Sequence, residues 1–68
     1  MPQIKNSSNI ASVDWAEGAG LTVVFRRGGE YVYPAVDETT FNDLLASASP
    51  GAYFAQHVKD RYDFRKVG

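Results

Sequence analysis

The chain has 68 residues, with seven basic and eight acidic side chains, a formal net charge of −1 and no cysteine. This length fits one small domain and excludes a two-domain enzyme with a cleft between its halves. The lack of cysteine excludes disulfide frameworks, cysteine-ligated zinc and thiol nucleophiles. Because 44% of the residues are hydrophobic, the composition predicts a packed core rather than a disordered chain.

The hydropathy and charge of the chain also bear on where it acts. No apolar run approaches the roughly 20 residues needed to cross a bilayer. Residues 1–8 lack the apolar stretch of a secretion signal. The near-neutral charge excludes a polycation that holds nucleic acid by charge alone. We therefore expect a cytoplasmic protein with no membrane partner.

Residues 1–8 are predicted to be a flexible lead-in, and residues 9–68 a single domain. Apolar and polar residues alternate over 11–15, which is typical of a half-buried strand. Two glycines in 16–20 predict a short loop that reverses the chain.

Residues 21–26 are dense in β-branched and aromatic side chains, which predicts the central strand. The Gly28-Gly29 pair is typical of a two-residue type I′ hairpin turn, because both central positions of that turn need positive φ. A third strand at 31–33 should end at Pro34, which cannot donate to a ladder.

After the third strand the apolar period changes from two to 3.6 residues. Asp37 is suited to cap a helix N-terminus, and three apolar residues then share one helix face: Phe41, Leu44 and Leu45. Ser49 and Pro50 predict a second helix start, as the N-cap and first helical residue. Residues 60–68 either extend this helix or fold back as a short extended piece. The predicted fold is α+β, a three-stranded antiparallel meander followed by two helices packed on one face (β-β-β-α-α).

The predicted turn also assigns the faces of the sheet. It places Arg26 opposite Tyr31, and residues directly opposite share a face. The face under the helices then has only apolar side chains, namely Val13, Trp15, Leu21, Val23, Phe25 and Val32. The uncovered face has Thr22, Val24, Arg26, Tyr31 and Tyr33, and aromatic rings beside a guanidinium form a stacking platform for unpaired bases. The alternative is that the two tyrosines simply pack, with hydroxyls at the rim. A one-residue change in loop length would exchange the two faces.

The C-terminal end is locally basic. Its four bases, which lie among Tyr62 and Phe64, are Lys59, Arg61, Arg65 and Lys66. Basic residues among aromatic ones suit contacts to phosphate and single strands. The alternative is a solvated helix end, where bases complement the helix dipole.

Signals for catalysis are weak. His57 is the only histidine, and Asp60 lies one turn away. Ser49, near the helix start, is the only local candidate for a serine that converges on this pair. A lone helical histidine is more typical of a surface position than of a catalytic group. No cluster of side chains matches a metal site or a phosphate loop. We expect no enzymatic activity, no cofactor and no metal.

Several segments resemble the KTSC domain, a small module named for its place at the C-terminus of some lysyl-tRNA synthetases. The matching segments are 7–13 (SSNIASV), 31–33 (YVY), 44–46 (LLA) and 49–54 (SPGAYF), followed by Tyr62. The family also occurs as free-standing bacterial and phage proteins. The resemblance covers residues 7–67 and has no established activity attached to it.

The synthetase context of the family implies an RNA-binding accessory role. The partner would then be RNA, bound by Tyr31, Tyr33, Arg26 and the four C-terminal bases. The alternative is an adaptor or regulator that docks on a protein of the transcription or translation machinery, because residues 14–43 are acidic and would suit a basic groove. In either case we expect a monomer or a weak homo-oligomer.

Overall fold

A computed structural model describes residues 9–68, so the predicted lead-in at 1–8 lies outside the described residues. Residues 9–68 contain six elements: β1 (Ile10–Ala16), β2 (Gly20–Phe25), β3 (Gly29–Tyr33), α1 (Glu38–Ala46), α2 (Pro50–His57) and β4 (Arg65–Lys66). The strands form one antiparallel sheet in the order β1-β2-β3-β4. The predicted α+β fold is confirmed, with a short fourth strand added to the meander.

The first hairpin has the predicted alignment. Val13 lies opposite Val23 and Trp15 opposite Leu21. The turn between them is closed by a hydrogen bond of 3.1 Å from the Ala19 N–H to the Ala16 carbonyl oxygen. Gly18 stands at the third position of this turn with φ +86°, which is typical of a type II turn.

The second hairpin differs from the prediction, and the difference exchanges the two faces of β3. Its loop has three residues, 26–28, instead of the predicted Gly28-Gly29 pair. Phe25 therefore pairs with Gly29, and Val23 pairs with Tyr31. Gly29 takes positive φ (+86°) and Gly28 does not, so the type I′ assignment is wrong.

The prediction that the two tyrosines lie on the uncovered face is therefore also wrong. Tyr33 pairs with Leu21, is 3% exposed and belongs to the core, and Tyr31 is half-buried against that core. Val32, predicted under the helices, pairs with Thr22 on the uncovered face. Arg26 lies in the exposed turn beyond β2, so it does not share a face with the tyrosines.

The helix starts fall where the sequence predicts them. The Asp37 Oδ1 atom accepts a hydrogen bond of 2.9 Å from the Thr40 N–H at the start of α1. Pro50 begins α2 after Ser49, but the Ser49 side chain makes no capping hydrogen bond. On α1, Leu44 is fully buried, whereas Leu45 is 38% exposed and does not share the buried face as predicted.

The C-terminal segment folds back, which decides between the two predicted possibilities. Lys66 pairs with Tyr31 and Arg65 with Val32 along the free side of β3. The core between sheet and helices consists of nine buried residues: Ile10, Val13, Leu21, Val23, Tyr33, Val36, Leu44, Phe54 and Val58. The indole N–H of Trp15 donates a hydrogen bond of 2.8 Å to the Val36 carbonyl oxygen and so ties β1 to the segment before α1.

Candidate functional site

A groove of about 500 Å³ opens between α2 and the end of the sheet near the β2–β3 turn. Five aromatic side chains line it: Phe25, Tyr31, Tyr33, Phe54 and Phe64. We call it the aromatic groove. Its volume falls within the range of roughly 300–1,000 Å³ that is usual for small-ligand sites.

The five rings form one connected network. Phe25 packs edge-to-face on Tyr31 and on Phe54, with centroids 5.5 Å apart and interplanar angles of 81° and 70°. Phe64 lies tilted across the two tyrosines, 5.4 Å from Tyr31 and 5.6 Å from Tyr33. Such contacts prefer this geometry and hold each ring in place. Phe64 is nevertheless 54% exposed, so the network presents an open apolar surface.

One wall of the groove comes from α2 and the turn that follows it. Gly51, Ala55 and Lys59 line this wall at intervals of four residues, the spacing of one helix face. Because Gly51 has no side chain and Ala55 has only a methyl group, they leave the space in front of the rings open. Lys59 lines the groove and is exposed to solvent, so it lies at the rim.

The rim also has an acidic group, Asp60. Burial raises the pKa of the Tyr33 phenol, and the neighbouring Tyr31 and Asp60 raise it further. Tyr33 is therefore a neutral phenol at physiological pH. Its hydroxyl remains a possible hydrogen-bond donor to a ligand in the groove.

The structure brings some of the predicted binding residues together. Tyr31, Tyr33 and Lys59 line the aromatic groove, although Tyr33 contributes as a buried wall and not as an exposed platform. Lys66 lies opposite Tyr31 in the β3–β4 ladder and shares its face of the sheet. These positions agree with a shared site at one end of the molecule.

The other predicted residues lie apart from the groove lining. Arg65 pairs with Val32 and so lies on the uncovered face of the sheet. Arg61 is exposed in the turn after α2, and Arg26 is exposed in the β2–β3 turn. A second cavity next to that turn is lined by Arg27 and shares Phe25 with the aromatic groove.

Sequence reasoning missed several lining residues. Phe25 was assigned correctly to the helix side of the sheet but only as core. Phe54 enters the sequence analysis only as the end of the SPGAYF segment, and Phe64 only as a neighbour of basic residues. A signal was present in the glycine at position 51, three residues before Phe54. Arg27 and Asp60 carried no distinct signal, because their positions depend on how the turns are placed.

His57, the histidine considered in the sequence analysis, is exposed and does not line the aromatic groove. The His57 ring stacks on Tyr53 with centroids 4.5 Å apart and an interplanar angle of 34°. Within residues 9–68, no three His, Cys, Asp or Glu side chains are grouped so that they could hold a metal ion. The same part of the chain contains no helix long and apolar enough to span a membrane.

Comparison with known proteins decides the family. The family model described as the KTSC domain matches residues 6–62, which is most of the chain. The chain belongs to the KTSC domain family. The crystal structure of the KTSC domain protein YPO2434 from Yersinia pestis is similar to this KTSC domain, with a TM-score of 0.89 and 29% identity over 100% of this chain and 94% of that one. No curated protein matches the chain.

Segments 31–33 and 49–54 of the KTSC resemblance meet at the aromatic groove. Tyr31 and Tyr33 come from the YVY segment, and Gly51 and Phe54 come from the SPGAYF segment. Two distant parts of the KTSC domain thus build one concave surface.

Proposed function

We propose that this KTSC domain is a non-catalytic module that binds single-stranded RNA in the aromatic groove, in the cytoplasm. One observation carries the proposal: the exposed Phe64 ring and the half-buried Tyr31 ring flank an open groove that has Lys59 at its rim. Aromatic surfaces beside basic groups are the usual means of holding unpaired bases and their phosphates.

The positions of the basic side chains support the same site. Lys59 at the rim and Lys66 beside Tyr31 flank the groove, and Arg27 lines the cavity that adjoins it. Because so few basic side chains can neutralise only a few phosphates, the affinity for RNA has to come largely from stacking of nucleobases on the aromatic rings. Stacking is worth roughly 1–3 kcal/mol per base, which corresponds to about 5- to 150-fold in affinity.

The first experiment fills the groove. Ala55 lines it, and Ala52 on the same helix does not, although both are exposed. Fluorescence anisotropy with a labelled five-nucleotide RNA should show that Ala55→Phe weakens binding at least tenfold and that Ala52→Phe has little effect. Equal affinity for both variants would contradict the proposed site.

The second experiment separates the two faces of β4. Lys66 shares the face of Tyr31, and its neighbour Arg65 lies on the uncovered face. Removal of one phosphate contact lowers the slope of log K against log salt by about one. We expect that change for Lys66→Ala and not for Arg65→Ala. A lower slope for Arg65→Ala and an unchanged slope for Lys66→Ala would indicate that the RNA binds the uncovered face of the sheet.

A second candidate function is a protein-binding adaptor. The observation that favours it is the exposed Leu45 on α1, a helix whose exposed charges, Glu38 and Asp43, are both acidic. A basic protein groove would suit this surface by charge complementarity. In affinity capture from a bacterial lysate after nuclease treatment, a partner that is retained by the native chain and lost with Leu45→Ser would support it. Background proteins alone would count against it.

A further inference from the structure

The rim of the aromatic groove has charges of both signs. Of the described residues that line the groove, two carry a formal charge: Lys59 and Asp60. They are adjacent in the turn that follows α2, where the Lys59 N–H donates to the Phe54 carbonyl oxygen at 2.9 Å. A basic and an acidic residue thus both line the groove next to the aromatic surface.

Asp60 is close enough to the rings to act on their polar groups. Its negative charge contributes to the raised pKa of the buried Tyr33 phenol, after burial itself and Tyr31. Asp60 and Phe64 line the same groove. A base that stacks on the exposed Phe64 ring would therefore occupy the groove that Asp60 also lines.

The hydrogen-bonding edge of guanine fits this pair of charges. A carboxylate accepts two hydrogen bonds in parallel, and guanine offers two adjacent donors, N1–H and the N2 amino group. Guanine O6, next to N1 on the same edge, accepts from a lysine ammonium group. Uracil presents one N–H between two carbonyl oxygens, and those oxygens repel a carboxylate. Adenine and cytosine each present one amino group beside a ring nitrogen that can only accept.

We propose that the aromatic groove selects an unpaired guanine, with the base stacked on the exposed Phe64 ring, its N1–H and N2 amino groups donating to Asp60, and its O6 accepting from Lys59. This inference rests on the proposed RNA-binding function and adds the identity of the preferred base. In this arrangement Asp60 recognises the guanine base. The basic side chains of the domain other than Lys59 contact phosphates.

The test compares pentaribonucleotides that differ at the central position. Labelled UUGUU, UUAUU, UUCUU and UUUUU are titrated with the protein at low salt and followed by fluorescence anisotropy. We expect UUGUU to bind about 5- to 100-fold more tightly than the other three, the discrimination typical of a two-bond contact to a base. Central inosine, which lacks the N2 amino group, should bind with intermediate affinity.

Two matched variants test the residue assignment. Asp60→Asn should abolish the preference for guanine, because an amide cannot accept both hydrogen bonds. Asp63→Asn should preserve the preference, because Asp63 is equally exposed and does not line the groove. Thermal unfolding followed by Trp15 fluorescence verifies that both variants fold.

The outcomes separate this inference from the function on which it rests. Measurable binding with equal affinity for all four RNAs would overturn guanine selection and leave RNA binding in place. Loss of the preference in Asp63→Asn but not in Asp60→Asn would also overturn it. Absence of binding to every RNA would overturn both the proposed function and the selection of guanine.

Discussion

Two glycines in the first hairpin allow a sharp test of the described packing. Gly18 and Gly20 both have positive φ, at +86° and +79°. A Cβ atom added at Gly18 would meet nothing within 4 Å. A Cβ atom at Gly20 would overlap the Tyr33 carbonyl oxygen and lie 2.6 Å from the Pro34 Cα atom. Alanine at position 18 therefore meets backbone strain alone, and alanine at position 20 also forces the backbone after β3 to move.

The expected losses in the free energy of unfolding follow from these two cases. Left-handed backbone costs a non-glycine residue about 1–2 kcal/mol, partly offset by the reduced freedom of the unfolded chain. We expect Gly18→Ala to lower the free energy of unfolding by about 1 kcal/mol. Forced displacement of packed atoms adds about 1–3 kcal/mol, so Gly20→Ala should lose about 2–4 kcal/mol. A domain of this size has about 3–10 kcal/mol in total.

Urea denaturation followed by the fluorescence of the single tryptophan, Trp15, measures both variants. In thermal unfolding, each kcal/mol corresponds to about 4–8 °C in a domain of this size. Gly18→Ala should therefore lower Tm by about 4–8 °C and Gly20→Ala by at least about 8 °C, at twice or more the loss of free energy. Equal losses in the two variants would refute the close approach of Gly20 to the Pro34 backbone.

Three further predictions concern the sheet alignment and the pH dependence of stability. Val23→Ala should cost about 2 kcal/mol because Val23 is fully buried, whereas Val32→Ala on the uncovered face should cost less than about 1 kcal/mol. Comparable losses for the two variants in urea denaturation would favour the two-residue turn, which places both valines under the helices. Hydrogen bonds from the Thr40 side chain and backbone lower the pKa of Asp37, so its contribution to stability is complete above its usual value of 3.8 and is lost as the pH falls through the lowered pKa. Acid titration of Tm should show a smaller loss for Asp37→Asn than for the native chain, and an identical loss would contradict the cap. Burial raises the pKa of Tyr33, so its contribution is complete below pH 10 and is lost as the pH rises through the raised pKa. Tyr33→Phe should reduce the loss of Tm above pH 10, and an unchanged alkaline profile would count against a buried phenol.

Local sequence patterns determined most of the elements of this KTSC domain. Alternation over 11–15 predicted β1, and Asp37 and Pro50 marked the two helix starts, because strand periodicity and helix capping depend on neighbouring residues. The resemblance to the family also came from the sequence, and the match over residues 6–62 confirmed it. These features need no knowledge of distant contacts.

Tertiary structure decided the faces of the sheet and therefore the site. The sequence around Gly28 and Gly29 is compatible with a two-residue loop and with a three-residue loop. Tyr31 and Tyr33 share a face in both cases, but the two loops put this pair on opposite sides of the sheet because side chains alternate along a strand. The choice is made by contacts remote in the chain: Tyr33 packs on Phe54, and Gly68 accepts from the Glu30 N–H at 3.1 Å. The aromatic groove likewise joins residues from β2, β3, α2 and the C-terminal segment. No local pattern encodes that meeting, because it arises only when the helices and β4 pack against the sheet.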